Sequence, residues 1–306
     1  MKDTFRITVP ASSANLGPGF DCLGVAIGLH HQLTVHRGPG TGTTLHRRGE
    51  GAGEELPSGA DNLVLTALRS VLAERTCGFG HLTLESTSRI PLASGLGSSA
   101  AAVVCGLAAG MLLADRQVDL ERLIAMGTAM EGHPDNIVPC VAGGFTVAVW
   151  ANGRVEHIRL DPPPGIRAVL VIPSFGVSTR AARAVLPHEI PRVDAVANLG
   201  RAALLTAAIA AGRLDCLRTA MRDCLHEPYR NVLIPGLEAV CESGREAGAL
   251  GTALSGAGPS IIALAGHDAE RVGAAMQACW ARMSIAARYL VLPLAATGVA
   301  WEWMDN

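Results

Sequence analysis

The segment Pro91-Leu92-Ala93-Ser94-Gly95-Leu96-Gly97-Ser98-Ser99-Ala100 places two glycines and two adjacent serines directly before an uncharged, alanine-rich run. Glycines at 95 and 97 let backbone N–H groups turn toward a ligand with no Cβ in the way, and the start of the following helix adds unpaired donors at its positive dipole end. A polyphosphate is the natural occupant of such a bend. Ser98 and Ser99 can add hydroxyl contacts to phosphate or to Mg2+, an ion that takes oxygen ligands. The same residues would also serve as a plain glycine-rich turn closed by a serine N-cap, so the short pattern alone leaves both readings open.

The rest of the charge inventory narrows what the bend can serve. Lys2 is the only lysine among 25 Lys plus Arg residues. Chemistry that needs an internal lysine is therefore excluded: Schiff-base enzymes, protein kinases with their strand-borne lysine, and Walker-type NTPases, whose G-x-x-x-x-G-K-[ST] string does not occur. A net charge of −2 with 4% aromatic residues argues against a nucleic-acid groove, which needs clustered cations and stacking rings. His30, His31 and the other histidines show no H-E-x-x-H spacing, so zinc is not expected. The cysteines form no C-x-x-C and several lie in apolar runs, as the reduced thiols of a cytoplasmic protein do. Met1 to Arg6 has no signal-peptide pattern, and the longest apolar stretch, Ala100 to Ala114, falls short of the ~20 residues a bilayer span requires. A small-molecule partner, with neither nucleic acid nor membrane, is the expectation.

The elements that must hold these residues are legible in outline. A chain of 306 residues predicts about two domains. β-rich runs at 5–9, 22–27, 32–35 and 81–85 predict strands, with Thr43-Thr44-Leu45 a short strand inside the glycine-rich segment 37–60. Asp61 predicts the N-cap of a helix carrying Leu63, Val64, Ala67, Leu68, Val71 and Leu72 at helical spacing. Helices follow over 98–114 and 119–130, then a hairpin of 144–149 and 154–158 around Asn152-Gly153. Asp161-Pro162-Pro163-Pro164-Gly165 cannot continue a ladder and marks a domain boundary. Beyond it come a strand at 167–172, several helical patterns, strands at 252–254 and 260–264, a helix at 269–282 and a last strand at 288–292. That order predicts a split-βαβ, ferredoxin-like layer with helices on one sheet face.

Taken with the segment 91–100, Pro10-Ala11-Ser12-Ser13-Ala14-Asn15-Leu16-Gly17-Pro18-Gly19-Phe20-Asp21 and Leu254-Ser255-Gly256-Ala257-Gly258-Pro259-Ser260 resemble the three motifs of the GHMP small-molecule kinases, in the family order. The resemblance covers nearly the whole chain. Glu131-Gly132-His133-Pro134-Asp135-Asn136 and Glu227-Pro228-Tyr229-Arg230 are similar to the homoserine-kinase branch. The resemblance implies an α+β, two-domain GHMP kinase fold: an N-terminal, ribosomal-protein-S5-like nucleotide-binding domain over 1–160, a ferredoxin-like C-terminal domain over 166–306, and an ATP site near their interface. It implies ATP with Mg2+ and transfer of the γ-phosphoryl group to the side-chain hydroxyl of L-homoserine, a step of threonine biosynthesis, and it allows a homodimer. Another GHMP kinase acting on mevalonate or a sugar, and a non-catalytic ATP-binding relative, are the alternatives.

The residue types fit a zwitterionic acceptor on their own chemistry. L-homoserine carries an ammonium, a carboxylate and a hydroxyl. Asp21, with Asn15 as a neutral neighbour, can meet the ammonium, and the planar forks of Arg183 and Arg230 can hold the carboxylate, with Arg180 a close decoy. Any of these charges would otherwise be a solvated residue or a structural ion pair. Glu131 together with Ser98 is the candidate Mg2+ pair, although some homoserine kinases put several residues between this Glu and the His, where only Gly132 intervenes here. His133 and Asn136 are the candidate catalytic residues beside the hydroxyl, His133 binding it and Asn136 positioning the attacking oxygen, while Asp135 reads as structural. Nucleotide contacts fall to Pro91, Ser94, Gly95, Leu96, Gly97, Ser98 and Ser99, and to Asn62, in a stretch that resembles the family's adenine contact. Gly256 and Gly258 permit close backbone approach, Gly258 on the substrate side. Mevalonate-type relatives activate the hydroxyl with an Asp and a neighbouring Lys. With no internal lysine, a dedicated strong base is not expected here.

Overall fold

The computed structural model describes residues 3–52, 62–73 and 79–304. β1 (Thr4–Asn15), buried along most of its length, and β2 (Gly19–Gly38) are two long antiparallel strands. The separate strands expected at 22–27 and 32–35 are one continuous β2, because β1 runs beside it and supplies a ladder partner on both sides of the interruption. Their register slips between Pro10 and Ala11, where proline has no N–H to give, and again between Ala14 and Asn15. β3 (Gly42–Gly49) lies parallel to β4 (His81–Ser88), which pairs with β2. Asp61, the expected cap of α1 (Leu63–Leu72), lies outside the described residues. Asn62 caps the helix itself, its Oδ1 accepting from Val64 N and Leu65 N.

α2 (Ser98–Asp115), α3 (Leu120–Glu131) and α4 (Ile137–Ala142) follow. α2 is apolar on every side because α1, α3, α4 and the sheet enclose it. By length and composition it would suit a membrane span, but it is mostly buried within the protein. β5 (Phe145–Ala151) and β6 (Arg154–Leu160) form the expected hairpin, with Asn152 and Gly153 both at positive φ, and β5 pairs with β2.

After β7 (Arg167–Pro173) the chain makes α5 (Thr179–Ala184), α6 (Arg192–Ala211), α7 (Leu217–Ala220), α8 (Glu227–Arg230) and α9 (Leu237–Glu246) before β8 (Gly251–Leu254). α6 is longer than α2, somewhat less apolar and far less buried. β9 (Ile261–Ala265), α10 (Ala269–Arg282) and β10 (Ala287–Pro293) complete an antiparallel sheet in the order β10-β7-β9-β8. This is the ferredoxin-like order. Its coverage differs from the expectation of helices on one face. Val169 and Val171 pack with Val240, Val272 and Trp280 of α9 and α10, whereas Leu170 and Ile172 join the larger core with Leu205, Ile209 and Leu217. The period-2 alternation of a strand apolar at every position buries both faces.

β11 (Ala300–Met304) returns to pair with β1 and completes a seven-stranded first sheet. The sequence reading had no strand there. The end of the segment 166–306 thus belongs, by hydrogen bonding, to the sheet of the first domain.

Candidate active site

The three glycine-bearing segments meet because backbone bonds tie them together. Ser12 N donates to Leu96 O at 3.2 Å, Gly256 N to Ala14 O at 3.1 Å, and Ser260 N to Ser94 O at 3.2 Å. Buried Ser255 Oγ lies 2.7 Å from Gly95 O and 2.8 Å from Ser13 Oγ, so its one proton joins two segments while its lone pairs serve a third. Gly95 and Gly97 hold φ of +78° and +69°. A Cβ on Gly95 would fall 2.1 Å from Ser255 O, and one on Gly97 would fall 2.1 Å from Ser12 Oγ. Both glycines are demanded by close packing as well as by the turn. Gly97 is the N-cap of α2 and supplies no side-chain cap, so the first N–H groups of that helix remain available to an anion.

A cavity of about 130 Å3 lies at this junction, lined by Asn15, Asp21, Pro91, Ser94, Gly95, Leu96, Gly97, Ser98, Ser99, Glu131, His133, Asn136, Arg183, Arg230 and Gly258. An adjoining cavity of about 480 Å3 shares Ser98 and Ser99 with it and is lined by Asn62, His31, Leu63, Val64 and Leu92. Arg180 is exposed and lies on neither wall.

The charged groups take partners that their types alone do not dictate. Arg183 clasps Asp21 with hydrogen bonds of 2.6 and 2.9 Å, and that contact raises the pKa of the guanidinium. The residues expected to hold opposite ends of a zwitterion therefore hold each other. Their side chains are 39% and 34% exposed, so an incoming ammonium and carboxylate can replace the pair in solvent reach. Asn15 accepts from Asp21 N and donates to Gly256 O, both at 3.0 Å, so both ends of its amide shape the wall.

Arg230 is 2% exposed and forms no ion pair among the described residues. It donates from Nε to Ala182 O at 3.1 Å and from a terminal nitrogen to Gly256 O at 2.9 Å and His226 Nδ1 at 3.1 Å. Burial, followed by the nearby Arg183 charge, lowers its pKa. Phe20 presents its ring to both guanidinium groups, each 5.4 Å from the centroid.

At the other end, Asn136 Oδ1 accepts from Ser12 Oγ at 2.9 Å, which leaves the amide hydrogens as its donors toward the cavity. His133 Nδ1 is 2.6 Å from Oδ1 of Asp135, which is 2% exposed. Burial opposes protonation of His133, but the Asp135 hydrogen bond and the charges of Asp135, Asp21 and Glu131 together raise its pKa. Asp135 thus orients the imidazole, a role its neighbours in sequence did not signal. Glu131 accepts from Ser99 Oγ, next to Ser98, with which it is expected to hold Mg2+. Ser94 Oγ is 4% exposed and donates to Pro91 O at 2.7 Å, so this hydroxyl stabilises the bend.

Four further residues shape the site without having been singled out: Ser12, Phe20, His226 and Asp223. His226 is fully buried, with Nε2 2.8 Å from Gly17 O and its ring 5.3 Å from that of Phe20. Asp223 Oδ2 accepts from His226 N and Glu227 N, both at 2.8 Å, and so starts the turn that carries Arg230. Adjacency to the motifs was the available signal for the first three. Asp223 is a local backbone cap of a kind any loop can contain.

Residues 62–144 match the GHMP kinases N terminal domain and residues 205–282 the GHMP kinases C terminal domain. The homoserine kinase of Moorella thermoacetica is 41% identical over 279 residues, covering 91% of this chain and 93% of that protein. A homoserine kinase from a Synechococcus species is also 41% identical, over 97% of this chain and 95% of that protein. The crystal structure of homoserine kinase from Cytophaga hutchinsonii superposes with a TM-score of 0.89 at 31% identity, covering 99% and 98% of the two chains. Such identity extends well past the glycine-rich segments into both sheets, and the chain belongs to the GHMP kinase family, among its homoserine kinases.

Proposed function

We propose that the chain transfers the γ-phosphoryl group of ATP to the side-chain hydroxyl of L-homoserine, giving O-phospho-L-homoserine and ADP. The observation that carries this reading is Arg230: a buried guanidinium without a carboxylate partner, beside the exchangeable Asp21–Arg183 pair and across one cavity from a helix N-terminus. An anion arriving with the substrate offsets the cost of leaving that cation buried. Asp21 takes the substrate ammonium, and Arg183 and Arg230 take its carboxylate. These three contacts direct the hydroxyl toward His133 and Asn136.

The amides of residues 95–99 hold the ATP phosphates at the start of α2, where the dipole favours negative charge. The donor set of Glu131 with the Ser98 and Ser99 hydroxyls fits Mg2+, which takes carboxylate and hydroxyl oxygens beside phosphates and water. Bound there, the ion would neutralise charge on the phosphates. The hydroxyl oxygen forms the new bond to Pγ as the bond from Pγ to the β–γ bridging oxygen breaks, and the proton leaves to the transferred phosphoryl oxygens or to water. Asn136 orients the attacking oxygen through its amide hydrogens, and the barrier falls mainly by positioning and electrostatics.

The free thiols of the described cysteines suit a reducing, cytoplasmic setting. An ADP-release assay with L-homoserine, mevalonate, galactose and shikimate as separate acceptors tests the reading. Turnover with L-homoserine is expected, and turnover confined to another alcohol overturns it. Glu131→Gln is expected to raise the Mg2+ concentration needed for half-maximal rate, with little change in KM for homoserine.

A further inference from the structure

A buried histidine on the wall of the larger cavity carries chemistry that nothing so far uses. His31, on β2, is 5% exposed and belongs to its wall beside Leu63, Val64 and Leu92. Its Nε2 is 2.8 Å from Ser86 Oγ, but its Nδ1 has no hydrogen-bond partner among the described residues. Three other polar groups on this wall are engaged: Asn62 Oδ1 caps α1, Ser88 Oγ accepts from Ile90 N at 3.1 Å, and Glu50 accepts from Arg288 at 2.6 Å, while Arg47 and Arg48 add cationic groups that can only donate. Burial pushes the His31 pKa down to about 4, so the ring is neutral near pH 7 and carries a single N–H. Orphaned buried N–H groups are rarer in proteins than under-satisfied acceptors. The tautomer that leaves no N–H orphaned has Nε2 donating to Ser86 Oγ, and in it Nδ1 keeps a lone pair.

The cavity shares Ser98 and Ser99 with the phosphate-binding junction, and its apolar residues suit a flat heterocycle. A nucleotide whose phosphates lie on the bend would extend its base into this space. We propose that His31 Nδ1 accepts a hydrogen bond from the exocyclic 6-amino group of the purine, which makes the cavity select 6-aminopurine over 6-oxopurine nucleotides. A 6-oxo group would set one lone pair against another, and a purine bare at position 6 would leave Nδ1 unpaired. The inference rests on the ATP reading above and adds to it the residue that reads the base.

The test is displacement of a fluorescent N-methylanthraniloyl-ATP by ATP, by inosine triphosphate and by purine riboside triphosphate, with no acceptor present. On the wild-type protein, ATP is expected to bind about 10- to 100-fold more tightly than either analogue. In His31→Phe the affinity for ATP is expected to fall to within about threefold of the two analogues, and in His31→Gln, whose amide oxygen can accept, part of the preference returns. Equal affinity of the wild-type protein for the three nucleotides overturns the inference without any variant having to fold. A preference for ATP undiminished in His31→Phe overturns it as well. In both cases the ATP reading stands, whereas failure of the fluorescent nucleotide to bind at all removes that reading and this inference with it.

Discussion

At Arg230 the proposed function and stability make opposite demands on one side chain. Its guanidinium is buried against carbonyls and an imidazole, and among the described residues no carboxylate touches it, although Asp21, Asp223 and Glu227 act on it from farther off. A buried guanidinium carries a desolvation cost that an apolar side chain of similar volume does not, while removing a ligand's charge partner costs about 2–5 kcal/mol. Arg230→Met is therefore expected to keep or raise the melting temperature and to raise KM for L-homoserine ~30-fold or more, with KM for ATP little changed. A melting temperature and a homoserine KM that fall and rise together through loss of fold would contradict this division. Glu227, one turn earlier, makes a different demand. It accepts from Leu254 N at 2.7 Å, and burial pushes its pKa up to about 8. The unfolded carboxyl ionises near its ordinary value, so across the interval up to about 8 the native state binds more protons and stability falls as pH rises. Glu227→Gln keeps an oxygen for Leu254 N and cannot ionise. The melting temperature of the variant minus that of wild type is expected to grow between about pH 5 and pH 8 and then level, and a difference that shrinks over that range would refute the shift.

At the scale of elements, the start of α2 is held from outside rather than by its own residues. Its N-cap is a glycine with no side chain to accept from the first turn, and its position comes from contact with β1 at Ser12 and with the loop after β8 at Ser255. Gly97→Val is expected to disturb the fold as well as the bend, because its Cβ would fall 2.1 Å from Ser12 Oγ. Even Gly97→Ala is expected to cost about 1–3 kcal/mol by overpacking and by the left-handed backbone, read by urea denaturation, and to weaken ATP binding. Adding Ser12→Gly removes the clashing oxygen and is expected to recover part of the stability. It does not restore kcat, because Asn136 loses the hydroxyl that fixes its amide. Full recovery of kcat in the double variant would show that Asn136 needs no such support.

On the scale of the whole molecule, the two sheets are linked through more than the proline-rich connection at 161–165. β11 carries the C-terminal end back to β1, where Trp303 meets Phe5 edge-on at 5.0 Å between centroids and lies under Arg116 at 3.9 Å. The larger core also runs from Phe5 and Leu33 through α2 to Leu170 and Ile262. A chain joined this way is expected to unfold in one transition. Trp303→Ala is expected to cost about 2 kcal/mol from lost aromatic and cation contacts, lowering the whole transition in calorimetry. Two separated transitions in the variant would show that β11 is the principal coupling between the domains.

The sequence by itself determined the glycine-rich bend before α2, the ferredoxin-like order of elements, the reliance on arginine for internal positive charge and most of the residues that line the cavity. These follow from contiguous residues: glycines two apart, apolar periodicity, a chain with no internal lysine. The tertiary structure alone decided which partner each polar group takes. Asn15 is spent on Gly256, 241 positions away, Asp21 on Arg183, Asn62 on its own helix, and Glu131 on Ser99. It also joined two expected strands into β2 and produced β11, since a strand's partner and extent depend on what lies beside it. A residue type limits the bonds a side chain can make. The choice among them is settled by which backbones approach within about 3 Å, and distant segments of sequence hold no record of that distance.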